Sequence, residues 1–353
     1  SSQFWAVQGL ITSGDISSLP KVGLYASLAV TYVILVGPGL YFFLKQRGLG
    51  LHYHMAVVIL SVCCTGMVLL MGTVTRFEGP FFTYATIRDA SSDGISETSY
   101  INMRSPYNKP YSVEIDPSYS LYPLTGSVYH GGTAYPQFTG EEPADIQIQY
   151  GDESTRILAG NVGAFNSKIF RLERWEPNPE QTGFTGNINC FGGEITGSLT
   201  NNYDQPVEDV AVILYNQMVL IDRMEPGETV RLDGREMLYG STNYGYAMAA
   251  QITGTSRYQE GGDIEDARYV EALQRTNLLS FYIENYLSDY HTEARVTAFS
   301  RNREETDFLM DENYETYGCT LLTSALDVNY EKDGLIYRSA LQKEPDVVSG
   351  EYY

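Results

Sequence analysis

Two uninterrupted apolar runs near the start give way, past residue 80, to short stretches in which apolar and polar residues alternate. Residues 22–44 (VGLYASLAVTYVILVGPGLYFFL) and 55–75 (MAVVILSVCCTGMVLLMGTVT) contain no Asp, Glu, Lys or Arg. As helices rising roughly 1.5 Å per residue, each is long enough to cross about 30 Å of hydrocarbon. The link KQRGLGLHYH (45–54) is short, which predicts a tight antiparallel hairpin. Gly37-Pro38-Gly39 predicts a kink in the first helix, because proline removes a rung of the helical ladder. Tyr25, Tyr32 and Tyr41 suit interfacial or helix-facing positions, and His52 and His54 read as headgroup-level loop residues rather than a metal site.

After Pro80 the period shortens to two, and Tyr, Thr, Val and Ile become frequent, as strands require. Strands are predicted at 81–88, 99–105, 111–115, 146–150 and 154–160, with a long Gly-, Pro- and Tyr-rich loop over 123–143. From Gly186 the pattern is clearest: GGEITGSLTN, a turn at 202–206, then VEDVAVILYNQMVLI as one bent strand or two. Glu225-Pro226-Gly227-Glu228 predicts a type II turn, with proline presetting the second position and glycine accepting positive φ at the third. Short strands at this spacing suggest an immunoglobulin-like β-sandwich. One helix interrupts them at 263–288, with Asp263 as its expected N-cap, and strands resume at 294–300 and 319–328.

The fold class expected is therefore membrane-anchored and mainly β: a two-helix transmembrane hairpin followed by immunoglobulin-like β-sandwich domains with one intervening helix. The divisions are an extracytoplasmic lead-in (1–20), the transmembrane hairpin (21–76), a first β domain (77–185), the immunoglobulin-like sandwich (186–258), the helix (259–290) and a C-terminal β segment packing on the preceding domains (291–353). The weakly patterned final twenty residues belong to that segment.

Charge bears on partners and orientation. The net charge is −21, and of 44 acids only Asp15 and Glu78 precede residue 80. Phosphate-backbone binding needs a basic footprint, so nucleic acid is excluded as a general partner. Lys45 and Arg47 make the interhelical link the one basic element free of acids, which places it in the cytoplasm. Both flanks, including the acidic C-terminal region, are then extracytoplasmic, and the protein is a multi-pass protein of the cell membrane. Residues 1–20 lack the charged start and apolar core of a signal peptide, and with no initiating Met the chain is expected to continue a longer protein.

No phosphate loop, HExxH, CxxC pair, dinucleotide fingerprint or GxSxG elbow occurs, so no catalytic residue, cofactor or metal is assigned. Asp263, Glu265 and Asp266 fit a helix N-terminus better than a calcium loop. Cys63 and Cys64 lie in the second apolar run, while Cys190 and Cys319, outside it, could pair as a disulfide. Ser27 and Thr31 on the first helix, with Ser61, Thr65, Gly66 and Gly72 on the second, are small enough to admit a partner's helices or a second copy. Tyr119, Tyr122, Tyr129 and Tyr135, with Trp175, could form a sugar-stacking or protein-contact face.

TYVILVGPGLYFFLKQRG, SYINMRSPYNKPYSVEI and GGEITGSLTNNYDQPVEDVAVILYNQMVLIDRMEPGETVRLD resemble a family of poorly characterised Gram-positive bacterial membrane proteins. The ordered features are Gly193/Gly197/Asn201, then Pro206-x-Glu208-Asp209, then Pro226-Gly227-Glu228-Thr229. Those proteins carry an extracytoplasmic α/β domain, glutamine-amidotransferase-like or von Willebrand A-like, before a transmembrane hairpin and C-terminal β-sandwich domains. They are often encoded beside ABC exporter genes, and this chain resembles their C-terminal half. The resemblance implies a non-enzymatic accessory or scaffold subunit of an envelope membrane complex, in contact with the bilayer and a transporter permease or another copy. The alternative is a carbohydrate- or cell-wall-binding surface protein, with a glycan as partner.

Overall fold

The computed structural model describes residues 7, 11, 22–48, 50, 53–74, 80–124, 127–130, 133–136, 146–160, 166–256, 259, 266–288, 292–300, 307–310, 314–332 and 334–336. The chain divides into two units, Asp15–Pro80 and a second comprising Ser1–Gly14 with Phe81–Tyr353.

The smaller unit is helical. α1 (Val22–Ile34) passes through a π-turn (Leu35–Gly39) into α2 (Leu40–Gln46), and α3 (Tyr53–Val74) follows the link. The stretch Ala26–Gln46 is long and apolar enough to cross a membrane, and Tyr53–Leu69 is a shorter apolar stretch.

The larger unit is mainly β. In chain order it contains β1 (Phe81–Ala90), β2 (Gly94–Arg104), β3 (Tyr111–Ile115), β4 (Ser120–Leu124), β5 (Ser127–His130), β6 (Thr133–Pro136), β7 (Ile146–Tyr150), β8 (Thr155–Ala159) and β9 (Lys168–Pro177). There follow β10 (Phe184–Phe191), β11 (Glu194–Asn201), β12 (Val207–Leu214), β13 (Gln217–Met224), β14 (Thr229–Arg231) and β15 (Met237–Tyr239). Helices α4 (Gly245–Thr253) and α5 (Ala267–Tyr286) precede β16 (Ala294–Ser300), β17 (Glu315–Leu326), β18 (Val328–Asn329), β19 (Glu331–Lys332) and β20 (Leu335–Ile336).

A nine-stranded sheet, ordered β15-β13-β12-β16-β17-β1-β2-β9-β4, runs through the unit. Its pairs are antiparallel except β1–β17, which run parallel with Phe81 opposite Glu315. Alternation then sorts side chains between two faces. On β1, Ala85 and Ile87 face α4 and α5 in one core, while Phe82 and Tyr84 face the sheet β3-β8-β7 in another. On β12, Val210, Val212 and Leu214 join a third core beneath the sheet β14-β11-β10-β18. One large sheet is thus covered by helices on one side and by two smaller sheets on the other.

That sheet revises several expectations. The divisions at 185/186, 258/259 and 290/291 do not separate compact bodies, because β1, β12, β16 and β17 share one ladder. The lead-in is part of the β unit: Val7 and Ile11, one helical turn apart, are fully buried in the core under α4 and α5. Among the described residues both α4 and α5 cover that core, in place of the one helix expected; α4 is short and ends at Gly254, whose φ of +66° makes the left-handed stop. The N-cap of α5 is Asp266, whose carboxylate accepts from the Arg268 N–H at 2.9 Å, while Asp263 and Glu265 lie outside the described residues. β5 and β6 pair within the stretch expected to be loop. The final residues, 337–353, lie outside the described ones.

Candidate functional site

Three features bear on function: the helix pair, the anchor of the N-terminal segment, and the buried charges of the sheet.

In the helix pair, Pro38 cannot donate a backbone hydrogen bond, and the helix widens around it into the π-turn. The Leu40 N–H bonds back to Leu35 and Gly37, which leaves the intervening Val36 carbonyl out of the ladder. The Tyr53 hydroxyl, on α3, donates to that carbonyl at 3.0 Å. A second bond lies further along, where Tyr32 and Ser61 hydroxyls meet at 2.6 Å. Since Ser61 donates its own proton to the Val57 carbonyl at 2.8 Å, Tyr32 is the donor of the pair. Outward, Val30, Val33, Ile34, Val58, Ile59 and Val62 are each more than half exposed.

The expected partner-contact residues divide accordingly. Ser61 is engaged inside the pair. Ser27, Thr31 and Thr65 are exposed, and a Cβ added at Gly66 would meet nothing within 4 Å. Gly72 lies on α3, in a stretch where side-chain surroundings fall outside the described residues.

In the β unit the Ile11 carbonyl is held by three donors from neighbouring strands. These are the Thr83 hydroxyl on β1, Asn102 Nδ2 at 3.1 Å and Arg104 Nη2 at 3.0 Å on β2. Thr83 and Asn102 are buried, and the Arg104 guanidinium also sits 5.2 Å from the Phe81 ring centroid. The chain on either side of the helix pair, at residues 11 and 83, is therefore bonded together directly. No sequence pattern announced this anchor.

Among the described residues the most buried acid is Glu97 on β2, 5% exposed. Arg88 Nε at 3.4 Å and Arg174 Nη2 at 3.2 Å pair with its Oε2, and the Tyr119 hydroxyl donates to Oε1 at 2.8 Å. Arg174 also reaches Asp307 Oδ2 at 3.2 Å. Burial first, and the Glu97 charge second, push the Tyr119 hydroxyl far above the ordinary tyrosine range. Tyr119 is thus an inward-facing partner of Glu97 and not a surface ring. Tyr122 and Trp175 are exposed, while the Tyr129 and Tyr135 side chains lie outside the described residues.

The ordered motifs are framework. Gly197, at φ +117°, passes the Asn187 carbonyl so closely that a Cβ would sit 1.8 Å from its oxygen. Buried Asn201 bonds the carbonyls of Gln205 and Glu225 and accepts from the Tyr203 N–H at 3.0 Å. A bulge at Asp209, φ +52°, brings Glu208 and Asp209 both to Arg275 of α5, at 3.1 and 2.9 Å. In the turn, the Glu228 N–H meets the Glu225 carbonyl at 3.1 Å with Gly227 at φ +71°, as a type II turn requires.

Cys190 and Cys319 are free thiols, contrary to the disulfide expectation. Cys319 packs against the core under the helices and Cys190 against the core on the opposite side of the sheet, so the sheet separates them. Burial pushes the Cys319 thiol up to about 12 and raises that of Cys190. Among the described residues no group of three or more His, Cys, Asp or Glu is placed to hold a metal ion.

Residues 183–329, the stretch from β10 to β18, match a family profile described as a domain of unknown function (DUF8725). No curated protein matches the chain. Among solved structures it is distantly similar to the yeast delta-COP-I mu-homology domain, at 10% identity and a TM-score of 0.33, over 71% of this chain and 98% of that one. A likeness at that score carries no argument about fold or function.

Proposed function

We propose that the protein is a non-enzymatic scaffold of a bacterial envelope membrane complex, anchored by a two-pass hairpin, with its β unit outside the cytoplasm. The observation that carries this reading is the anchored Ile11 carbonyl. Thr83, Asn102 and Arg104 tie residue 11 to strands that begin just past residue 80, so the intervening chain leaves and returns on one side of any membrane. The number of crossings between them is then even. A folded unit cannot straddle the bilayer, and the outward Val and Ile side chains of both helices suit hydrocarbon. These features favour two crossings, and the basic residues Lys45 and Arg47 favour a cytoplasmic link between them.

One helix would anchor the unit, so the second serves association. With Ser61 engaged by Tyr32, the surface offered to a partner's helices centres on Thr31, Thr65 and Gly66. A transporter permease of the ABC class is the partner that the resembled family suggests. The immunoglobulin-like reading narrows to the layers formed by β10, β11 and β14 over β12, β13 and β16, which would be the outward protein-contact module.

The test is labelling in intact cells on a background with the four native cysteines replaced by Ser or Ala. Ser92→Cys, in the exposed β1–β2 turn, should react with an impermeant maleimide, and Gln46→Cys should react only after lysis. Equal reactivity of the two, or the reverse pattern, would refute the topology. Gly66→Leu should insert normally yet release the membrane partner in mild detergent; a wild-type protein that runs alone in native lipid particles would refute the scaffold role.

A further inference from the structure

The helices α4 and α5 cover only part of their face of the large sheet. Where β2, β9 and β4 continue that face, Arg171 stands between Tyr100 and Tyr122 across the ladder, and Glu173 and Trp175 follow at two-residue steps along β9. The cover ends at Tyr286, near the end of α5, whose hydroxyl bonds that of Tyr100. Beyond it the strip opens to solvent: Trp175 is 63% exposed, Tyr286 42% and Tyr122 39%.

The strip is built for flat ring faces. A Cβ on Gly94 would fall 2.6 Å from the indole of Trp175, so the indole lies down on bare backbone of β2 with its outer face free. Tyr122 is held by the Arg171 guanidinium, 4.9 Å from its ring centroid, and Arg171 Nε pairs with Glu173 Oε1 at 3.0 Å. Preset aromatic faces thus alternate with fixed donors and acceptors, over a length suited to several linked rings. The charges cancel locally on a chain of net −21, which disfavours polyanions. The exposed large apolar residues of the strip are all aromatic, set one by one between polar side chains instead of merging into a contiguous apolar patch.

We propose that this strip binds a neutral oligosaccharide, with sugar rings stacked on Trp175 and Tyr122 and their hydroxyls bonded by Arg171, Glu173 and Tyr286. This site is independent of the hairpin and of the scaffold reading.

The experiment uses the full chain in nanodiscs and four probes: cellohexaose, maltohexaose, laminarihexaose and chitohexaose. Calorimetry should detect binding of at least one, with a blue shift in tryptophan emission. Trp175→Ala and Tyr122→Ala should each weaken it tenfold or more at unchanged melting temperature, while Tyr239→Ala, on the opposite edge strand, should not. Saturation-transfer NMR on the wild type, which needs no variant, should show magnetisation passing from the aromatic protons to one face of the sugar rings. Failure of all four probes to bind at millimolar concentration would overturn the proposal. So would equal affinity in the Trp175 and Tyr122 variants, or saturation transfer without aromatic origin.

Discussion

A single methyl group added at Gly197 and, separately, at Gly227 distinguishes backbone strain from steric exclusion. Both glycines have positive φ, +117° and +71°. At Gly227 the new Cβ meets nothing within 4 Å, so Gly227→Ala carries only the left-handed backbone cost, about 1–2 kcal/mol. In a unit of this size each kcal/mol lowers the melting temperature by about 2–4 °C, which gives a loss of about 2–8 °C. At Gly197 the Cβ would lie 1.8 Å from the Asn187 carbonyl oxygen, so β10 and β11 must part. The Gly197 N–H bond to Asp233 Oδ1 at 3.0 Å and the Leu232 N–H bond to the Gly197 carbonyl at 2.9 Å are strained with them. Gly197→Ala should therefore cost about 4 kcal/mol or more, in the range reserved for identifiable structural damage. Gly227→Asn should recover most of the Gly227→Ala loss, because asparagine tolerates the left-handed region. Near-UV circular dichroism of the detergent-solubilised chain is dominated by the β unit, which holds most of the chain's tyrosines. Equal losses for the two alanine variants, or a Gly227→Asn variant as unstable as Gly227→Ala, would refute the reasoning.

Glu97→Gln removes the buried charge that Arg88 and Arg174 share, leaving them only the more exposed Glu176 and Asp307, and should cost about 3 kcal/mol in a denaturant titration; a loss below about 1 kcal/mol would show that the network is dispensable. In bicelles, a double-mutant cycle of Tyr32→Phe and Ser61→Ala should give a coupling of about 0.5–1.5 kcal/mol, and none if the hydroxyls do not meet. Two carboxylates should respond oppositely to acid. Burial raises Asp209 despite Arg275, so its folded form holds a proton more tightly than the unfolded chain, and the melting-temperature advantage of wild type over Asp209→Asn should grow as pH falls through the carboxylate range. The Gly197 N–H and Arg231 lower Asp233, so its contribution is present at neutral pH, and the advantage over Asp233→Asn should shrink across the same fall. Parallel trends would contradict both assignments.

The elements legible in the sequence were those whose cause is local. Pro38 between two glycines disturbs a helix wherever that helix lies, and Glu225-Pro226-Gly227-Glu228 carries its turn geometry in its own backbone preferences. Ser91-Ser92-Asp93-Gly94 likewise closes β1 on β2, with the Ser91 N–H bonded to the Gly94 carbonyl at 2.9 Å. What remained hidden depends on distant partners. In α4 the buried positions Gly245, Met248, Ala249 and Ile252 fall at helical spacing, but two of the four are Gly and Ala, which give a hydrophobic pattern little contrast. Tyr119 immediately precedes a five-residue strand, where alternation alone does not say which face is wet. The Pro206-x-Glu208-Asp209 motif is readable as a pattern, yet its purpose is an arginine on α5. The Trp175 strip likewise depends on the register of β9 against β2 and β4.

The order of pairing in the sheet bears on when the proposed membrane topology would be set. β1, β2, β9 and β4 come from residues 81–177 and are joined antiparallel, so their pairing closes comparatively short loops. β17 reaches β1 in parallel from residue 315 onward, the most distant pairing in the ladder, and distant pairings form slowly. The donors that hold Ile11, on β1 and β2, all belong to the local group. The N-terminal segment can therefore be captured beside the returning chain before β17 arrives, which under the proposed two-pass topology would set both flanks on one side early. Until then the β1 edge later covered by β17 stays open, a liability for pairing with other chains. Pulsed hydrogen exchange during refolding in lipid should protect the β2 and β9 amides before those of β17 and β16. Asn102→Ala should slow the first phase and leave the second unchanged. Simultaneous protection of both groups would mean that the sheet forms as one unit and that the anchor has no early role.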